Sequence, residues 1–381
     1  MKTAQARLSS VAEAPAALAP LAALAPGLVL AYGDAKIVAD PAFGAALAAA
    51  FPGAVVAGCS TAGEISAAGV GEHGCVVTAV RFDACRASAV RTRLADMADS
   101  RAAGARLAQA LPKAGLAGVL IFGQGVRING SALVAGLADG LPQGMPIAGG
   151  LAGDGGAFQR TWVLDGAGAS DDAIVAVGLH GERLRFAHGS YGGWQPFGPA
   201  RKVTRADGNV LYELDGEPAL AVYKRYLGEH AKDLPASGLL FPFEMLGADH
   251  AATGLIRTIL GVDEKAGSLT LAGEIVEGGY LKLMHASTDA LVGGAETAAE
   301  SALAMAGAPG GGLALLVSCV GRKLAMGGRV EEEIEAVGAV LGRGALLAGF
   351  YSYGEISPHA PERACRLHNQ TMTITWLREA A

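Results

Sequence analysis

The chain has 381 residues, 51% of them hydrophobic and 17% charged, with a formal net charge of −6. That is a folded composition with room for two or three domains, and it excludes disorder. The acidic balance, with no basic stripe interleaved with aromatics, argues against a nucleic-acid binder. Five cysteines, none in a CxxC pair, give no disulfide framework and no structural zinc site, and fit reduced thiols in the cytoplasm.

Residues 1–26 are rich in Ala and Pro and read as a loose N-terminal arm or a short helix. Pro15, Pro20 and Pro26 interrupt the apolar run, so it is not read as a signal peptide. No segment reaches about 20 uninterrupted apolar residues, so no membrane span is expected. LVLAYGD (28–34) is a predicted strand, followed by a helix around Pro41–Phe51 and a strand in AVVAGCSTAGEI (54–65). CVVTAVRFD (75–83) and RASAVRTRL (86–94) read as a hairpin, and Asp99–Leu111 as a helix. GVLIFGQG (118–125), a helix around Ser131–Leu141 and MPIAGGLAGD then repeat the first pattern. Strands follow near 160–165, 172–180 and 183–190, then a hairpin in RKVTRADGNVLYELDG (201–216). A helix begins at Glu217–Leu227, with Pro218 near its first turn. The Pro-punctuated DLPASGLLFPFE (233–244) leads to strands at 255–263, 268–273 and 280–286 and a helix at Thr288–Ala306. LALLVSCVGRK (313–323), a helix around Val330–Leu341 and ALLAGFYSYGEI (345–356) give the pattern a third time, before a last strand at 371–377.

Three copies of a strand–loop–helix–strand unit imply parallel crossovers, and the hairpins imply antiparallel pairs. The expected fold is therefore mixed α/β: two related halves, with mixed sheets flanked by helices. The boundary between halves is placed near 216, giving an arm (1–26) and domains at 27–216 and 217–381. Each unit ends in Ala-Gly, variable letters, then Gly and an acid, at the carboxyl end of its strand. Ligands of α/β sheets usually bind at that edge.

Candidate ligand contacts follow from that placement. Glu64, Asp154 and Glu355 are the turn acids, which either cap backbone amides or face a ligand. Cys59, Ser60 and Thr61, against Tyr351 and Tyr353, are the variable letters and the expected source of specificity. Arg127, Asn129 and Arg322 come from the opposing loops. An arginine there holds either an internal acid or a ligand carboxylate. Cys59 beside Glu64 also raises a hydrolase alternative, against which stands a small thiol packed under a turn.

GCSTAGEI, GGLAGD, ELDGEPAL (213–220), SCVGRK (318–323), GFYSYGEIS (349–357) and HNQTMT (368–373) together resemble the FIST sensory proteins, over roughly residues 27–377. The resemblance implies FIST N-like and FIST C-like domains at 27–216 and 217–381. It also implies a non-enzymatic sensor of a small ligand, signalling to a separate histidine kinase or cyclic-di-GMP enzyme. One subgroup of the family senses nitric oxide through haem. By that resemblance haem b is the sharpest cofactor expectation, with His188 and His368 as candidate axial ligands. An amino-acid or other metabolite sensor without haem is the alternative.

Overall fold

Three copies of one strand–helix–strand unit build the body of the protein. A computed structural model describes residues 1–359 and 364–380. In each unit the two strands run parallel: Leu28–Gly33 with Val55–Ser60, Leu116–Gly123 with Ile147–Leu151, and Gly312–Cys319 with Ala345–Ser352. The crossover helices are Pro41–Ala50, Gly130–Asp139 and Glu331–Leu341. Local chemistry starts the first two. Asp40 accepts the Ala42 N–H and Asn129 the Ala132 N–H, each satisfying a donor left open at the helix start.

Each unit sits in a six-stranded mixed sheet, and the three sheets share one plan. On one flank lie two antiparallel strands, Cys75–Arg81 then Lys2–Leu8 in the first sheet. Ala173–His180 then Arg86–Arg93 do the same in the second, and Met372–Glu379 then Leu184–Tyr191 in the third. On the other flank lies a hairpin borrowed from a different unit. The hairpin after the first turn pairs with Ala345–Ser352, that after the second with Val55–Ser60, and that after the third with Ile147–Leu151. The exchange closes a ring. The apolar faces of the three sheets meet inside it, where the Tyr32, Phe122 and Phe350 rings lie 4.8–6.4 Å apart.

Between Leu184–Tyr191 and the helix Thr288–Ala306 the third repeat carries an insertion. It is a nine-stranded sheet with the helix Ala219–Leu227, enclosing its own apolar cluster around Leu211, Tyr223, Phe243 and Leu269.

Two expectations change. At the N-terminus the short helix of the two readings is present, Ala14–Ala22 burying Leu18 and Leu21, but the segment before it is a strand, Lys2–Leu8, rather than loose. The strands at 75–81 and 86–93 exist but are not a hairpin, because they belong to different sheets. The link between them is held from the far end of the chain. The Glu379 carboxylate accepts the N–H groups of Asp83, Ala84 and Cys85 at 2.6–2.8 Å.

Candidate functional site

The three Gly-acid turns meet one another. Ala62 N–H donates to Tyr351 O and Tyr351 N–H to Gly63 O, both at 2.9 Å. Gly153 N–H donates to Ser60 O, Gly155 N–H to Thr61 O and Tyr353 N–H to Leu151 O, at 2.9–3.1 Å. The Ala-Gly step that opens each turn has a steric cause. A Cβ on Gly58, Gly149 or Gly349 would lie 1.8–2.0 Å from a backbone oxygen of the neighbouring parallel strand.

The acids of the first and third turns serve the turns themselves. Thr61 Oγ1 donates to Glu64 and accepts the Gly63 N–H; Ser352 Oγ does the same for Glu355 and Gly354. Glu355 also accepts from the Thr371 N–H and hydroxyl. Burial pushes both carboxyls up to about 7, against the pull of these hydrogen bonds. Each therefore binds its proton more tightly folded than unfolded. That contribution to stability is full below about 4.5 and is lost as pH rises through about 7. Urea midpoints should fall between about pH 5 and 7 and level off above that, and the fall should flatten in E64Q and E355Q. A slope unchanged in both variants would refute this. His368 acts in the opposite sense: burial, then His359, hold it down to about 3, so its contribution is lost as pH falls.

Asp154 lies at a more open turn. Its carboxylate accepts the N–H groups of Phe158, Gln159 and Arg160 and the Tyr353 hydroxyl. That holds the loop after the second turn in place, with Phe158 stacked on Tyr353 at 4.1 Å.

Most of the variable letters face the interior. Cys59, Ser60 and Tyr351 are fully buried and Thr61 is 3% exposed. They pack the junction of the turns and offer no surface to a ligand. Burial raises the Cys59 thiol well above its usual range, so neither thiolate nor access supports the hydrolase alternative. Arg322 is an internal partner, but of an acid the sequence did not single out. It pairs with Glu333 at 2.8 Å and donates to Leu291 O and Gly192 O. Glu333 also accepts from Tyr351 at 2.6 Å and Ser318 at 3.0 Å.

Open space lies elsewhere, between the ring and the insertion. A chamber of about 600 Å³ is lined by Phe158 and Leu324 from the ring and by His230, Leu239 and Leu260 from the insertion. A neighbouring chamber of about 300 Å³ shares Phe158 and Leu260 and adds Tyr353, Asn129, Ile128 and Leu367. Of the sequence candidates, Tyr353 and Asn129 line this cleft, and Arg127 lines another cavity beside it. Leu260 and Leu324 are 44% and 52% exposed, large apolar side chains turned to an open cleft. Nothing in the sequence marks them, because an exposed leucine is recognisable only once its neighbours in space are known.

Family models for the FIST N domain and the FIST C domain match residues 27–217 and 219–358. The chain belongs to the FIST family. FIST domains are implicated in small-ligand sensing in signal transduction. Similar chains include an uncharacterized protein of Mycobacterium tuberculosis, 34% identical over 215 residues, covering 54% of this chain and 55% of that protein. Another, from Mycobacterium bovis, is 31% identical over 218 residues, 54% of each chain. The chain thus spans about half the length of the curated relatives it matches. A crystal structure of cyanuric acid hydrolase from A. caulinodans covers 100% of this chain at a TM-score of 0.37 and 12% identity, too loose a likeness to carry an argument. In this FIST chain, no helix among the described residues is long and apolar enough to cross a membrane.

Haem needs an axial side chain open to the cofactor. His368 is 2% exposed, its Nε2 is 3.2 Å from Ser357 O, and its ring centroid is 5.3 Å from that of His359. His188 lies in the strand Leu184–Tyr191 opposite Thr375. Neither lines the cleft, so neither fits a haem bound there.

Proposed function

We propose that this FIST protein is a sensor whose small, mainly apolar ligand binds in the cleft between the ring and the insertion. The observation that carries the reading is that the exposed Leu260 and Leu324 line one open chamber of about 600 Å³, within the usual size range of ligand sites. The cleft lies between two structural units, so a ligand touching both favours one relative placement over others. That gives occupancy a structural consequence, to be read by a separate histidine kinase or cyclic-di-GMP enzyme.

A panel of small apolar and amphipathic compounds should contain one that raises the melting temperature. At a hundredfold excess over Kd it should stabilise by about 2.7 kcal/mol. Leu260→Asn and Leu324→Asn should abolish the shift while leaving the ligand-free melting temperature within about 2 °C, as expected of exposed positions. A shift retained in both variants would move the site elsewhere.

Haem with nitric oxide is a second version of this reading, carried by His230, which lines the larger chamber. Haemin titration tests it: a Soret band that responds to nitric oxide and is lost in His230→Ala supports it, and no haem uptake removes it.

A further inference from the structure

We infer that the ligand of the cleft is an amphipathic monocarboxylate, its apolar body in the two chambers and its carboxylate on Arg127 and Gln124. The inference rests on the cleft reading and adds the chemistry of the head group.

A third cavity, of about 800 Å³, lies behind the loop that follows the strand Leu116–Gly123. The loop divides the space. Val126, Ile128 and Asn129 line the smaller apolar chamber, whereas Gln124 and Arg127 line the third cavity. Met97 lines both and is 43% exposed, so the apolar chamber and the polar cavity adjoin at its side chain.

Two charges in the polar cavity have no ion-pair partner among the described residues, the Arg127 guanidinium and the Asp96 carboxylate, and the others are matched. Arg93 pairs with Asp172 at 3.4 Å, Arg106 with Asp99 at 2.7 Å, and Asp171 with Arg160 at 2.8 Å. Asp96 accepts the Asp99 N–H at 3.0 Å. Arg127 is exposed, and no carboxylate among the described residues lies within ion-pair distance of it.

Gln124 points the same way independently. It is 5% exposed, and its Oε1 accepts the N–H groups of Val126 and Arg127 at 3.0 Å. Those two bonds fix the amide orientation, and Nε2 makes no hydrogen bond among the described residues. An amide donor fixed in orientation on an otherwise buried side chain at the cavity wall, together with an unpaired guanidinium lining the same cavity, suits a carboxylate oxygen. The four aspartates lining the cavity disfavour a dianion such as a phosphate monoester and leave room for a single negative charge.

Calorimetric titration of the full chain with octanoate and with 1-octanol tests the head group at constant tail. Octanoate should bind at least tenfold tighter. Arg127→Ala should remove that preference and leave 1-octanol affinity unchanged, and Leu260→Asn should weaken both. Equal affinity of acid and alcohol in the unaltered protein, or a preference that survives Arg127→Ala, overturns the inference. So does failure of both compounds to bind. In that case an uncharged hit from the wider panel, lost in Leu260→Asn, would still sustain the cleft reading.

Discussion

Arg322→Leu should cost the protein about 3–5 kcal/mol in a urea or thermal unfolding measurement, enough to leave little folded chain at ambient temperature. Arg322 and Glu333 are both fully buried, and each is the other's countercharge. Removing the guanidinium leaves a carboxylate without its cation in a place water does not reach. It also leaves Leu291 O and Gly192 O without their donor. Glu333→Leu should be similarly severe, since it strands the guanidinium and the hydroxyls of Tyr351 and Ser318. The double variant Arg322→Leu/Glu333→Leu should lose less than the sum of the two, with a coupling of about 1–3 kcal/mol. Additive losses would mean that the pair does not act as a unit. Because the network joins the helix Glu331–Leu341 to the third turn and to the segment leading into the insertion, its loss should also loosen the seat of the insertion.

Gly349→Ala should be among the most damaging single-methyl changes, at about 3 kcal/mol or more. The added Cβ would lie 1.8 Å from Leu316 O, an atom of the paired parallel strand that cannot swing aside as a flexible side chain does. Gly58→Ala meets Ala31 O at the same 1.8 Å and should behave alike. Gly293→Ala is the control. It lies in the helix Thr288–Ala306 with nothing within 4 Å of the new methyl, and should stabilise by about 0.5–1 kcal/mol. Thermal unfolding followed by circular dichroism separates these outcomes. A Gly349→Ala variant that melts like the parent would show that the parallel strands tolerate separation at that step.

These expectations show which parts of the sequence carry structural information by themselves. The three repeats were legible because a Gly under a neighbouring backbone oxygen admits no other residue, so Gly58, Gly149 and Gly349 stand in the sequence as plain letters. The Thr61–Glu64 and Ser352–Glu355 hydrogen bonds were foreshadowed too, since a hydroxyl three residues before an acid is a local relation. The mixed α/β class, with mixed sheets flanked by helices, followed from the alternation of strand and helix. The partner of Arg322 was not legible, because Glu333 is one of three consecutive glutamates in a surface-like helix start (331–333) and only packing buries it.

By itself, then, the sequence determined the units: their strands, their crossover helices, their turns and their membership in the FIST family. These rest on local periodicity, capping and sterics, which act within one unit of chain. Only the tertiary structure decided which hairpin joins which sheet, that residues 75–81 and 86–93 part company, and that the turns close on one another and bury Cys59, Ser60, Thr61 and Tyr351. It also decided where space remains. The cleft brings Phe158 and Tyr353 together with Leu260, residues about 100 positions apart in the chain, and a cavity is a property of what surrounds it rather than of any segment that lines it.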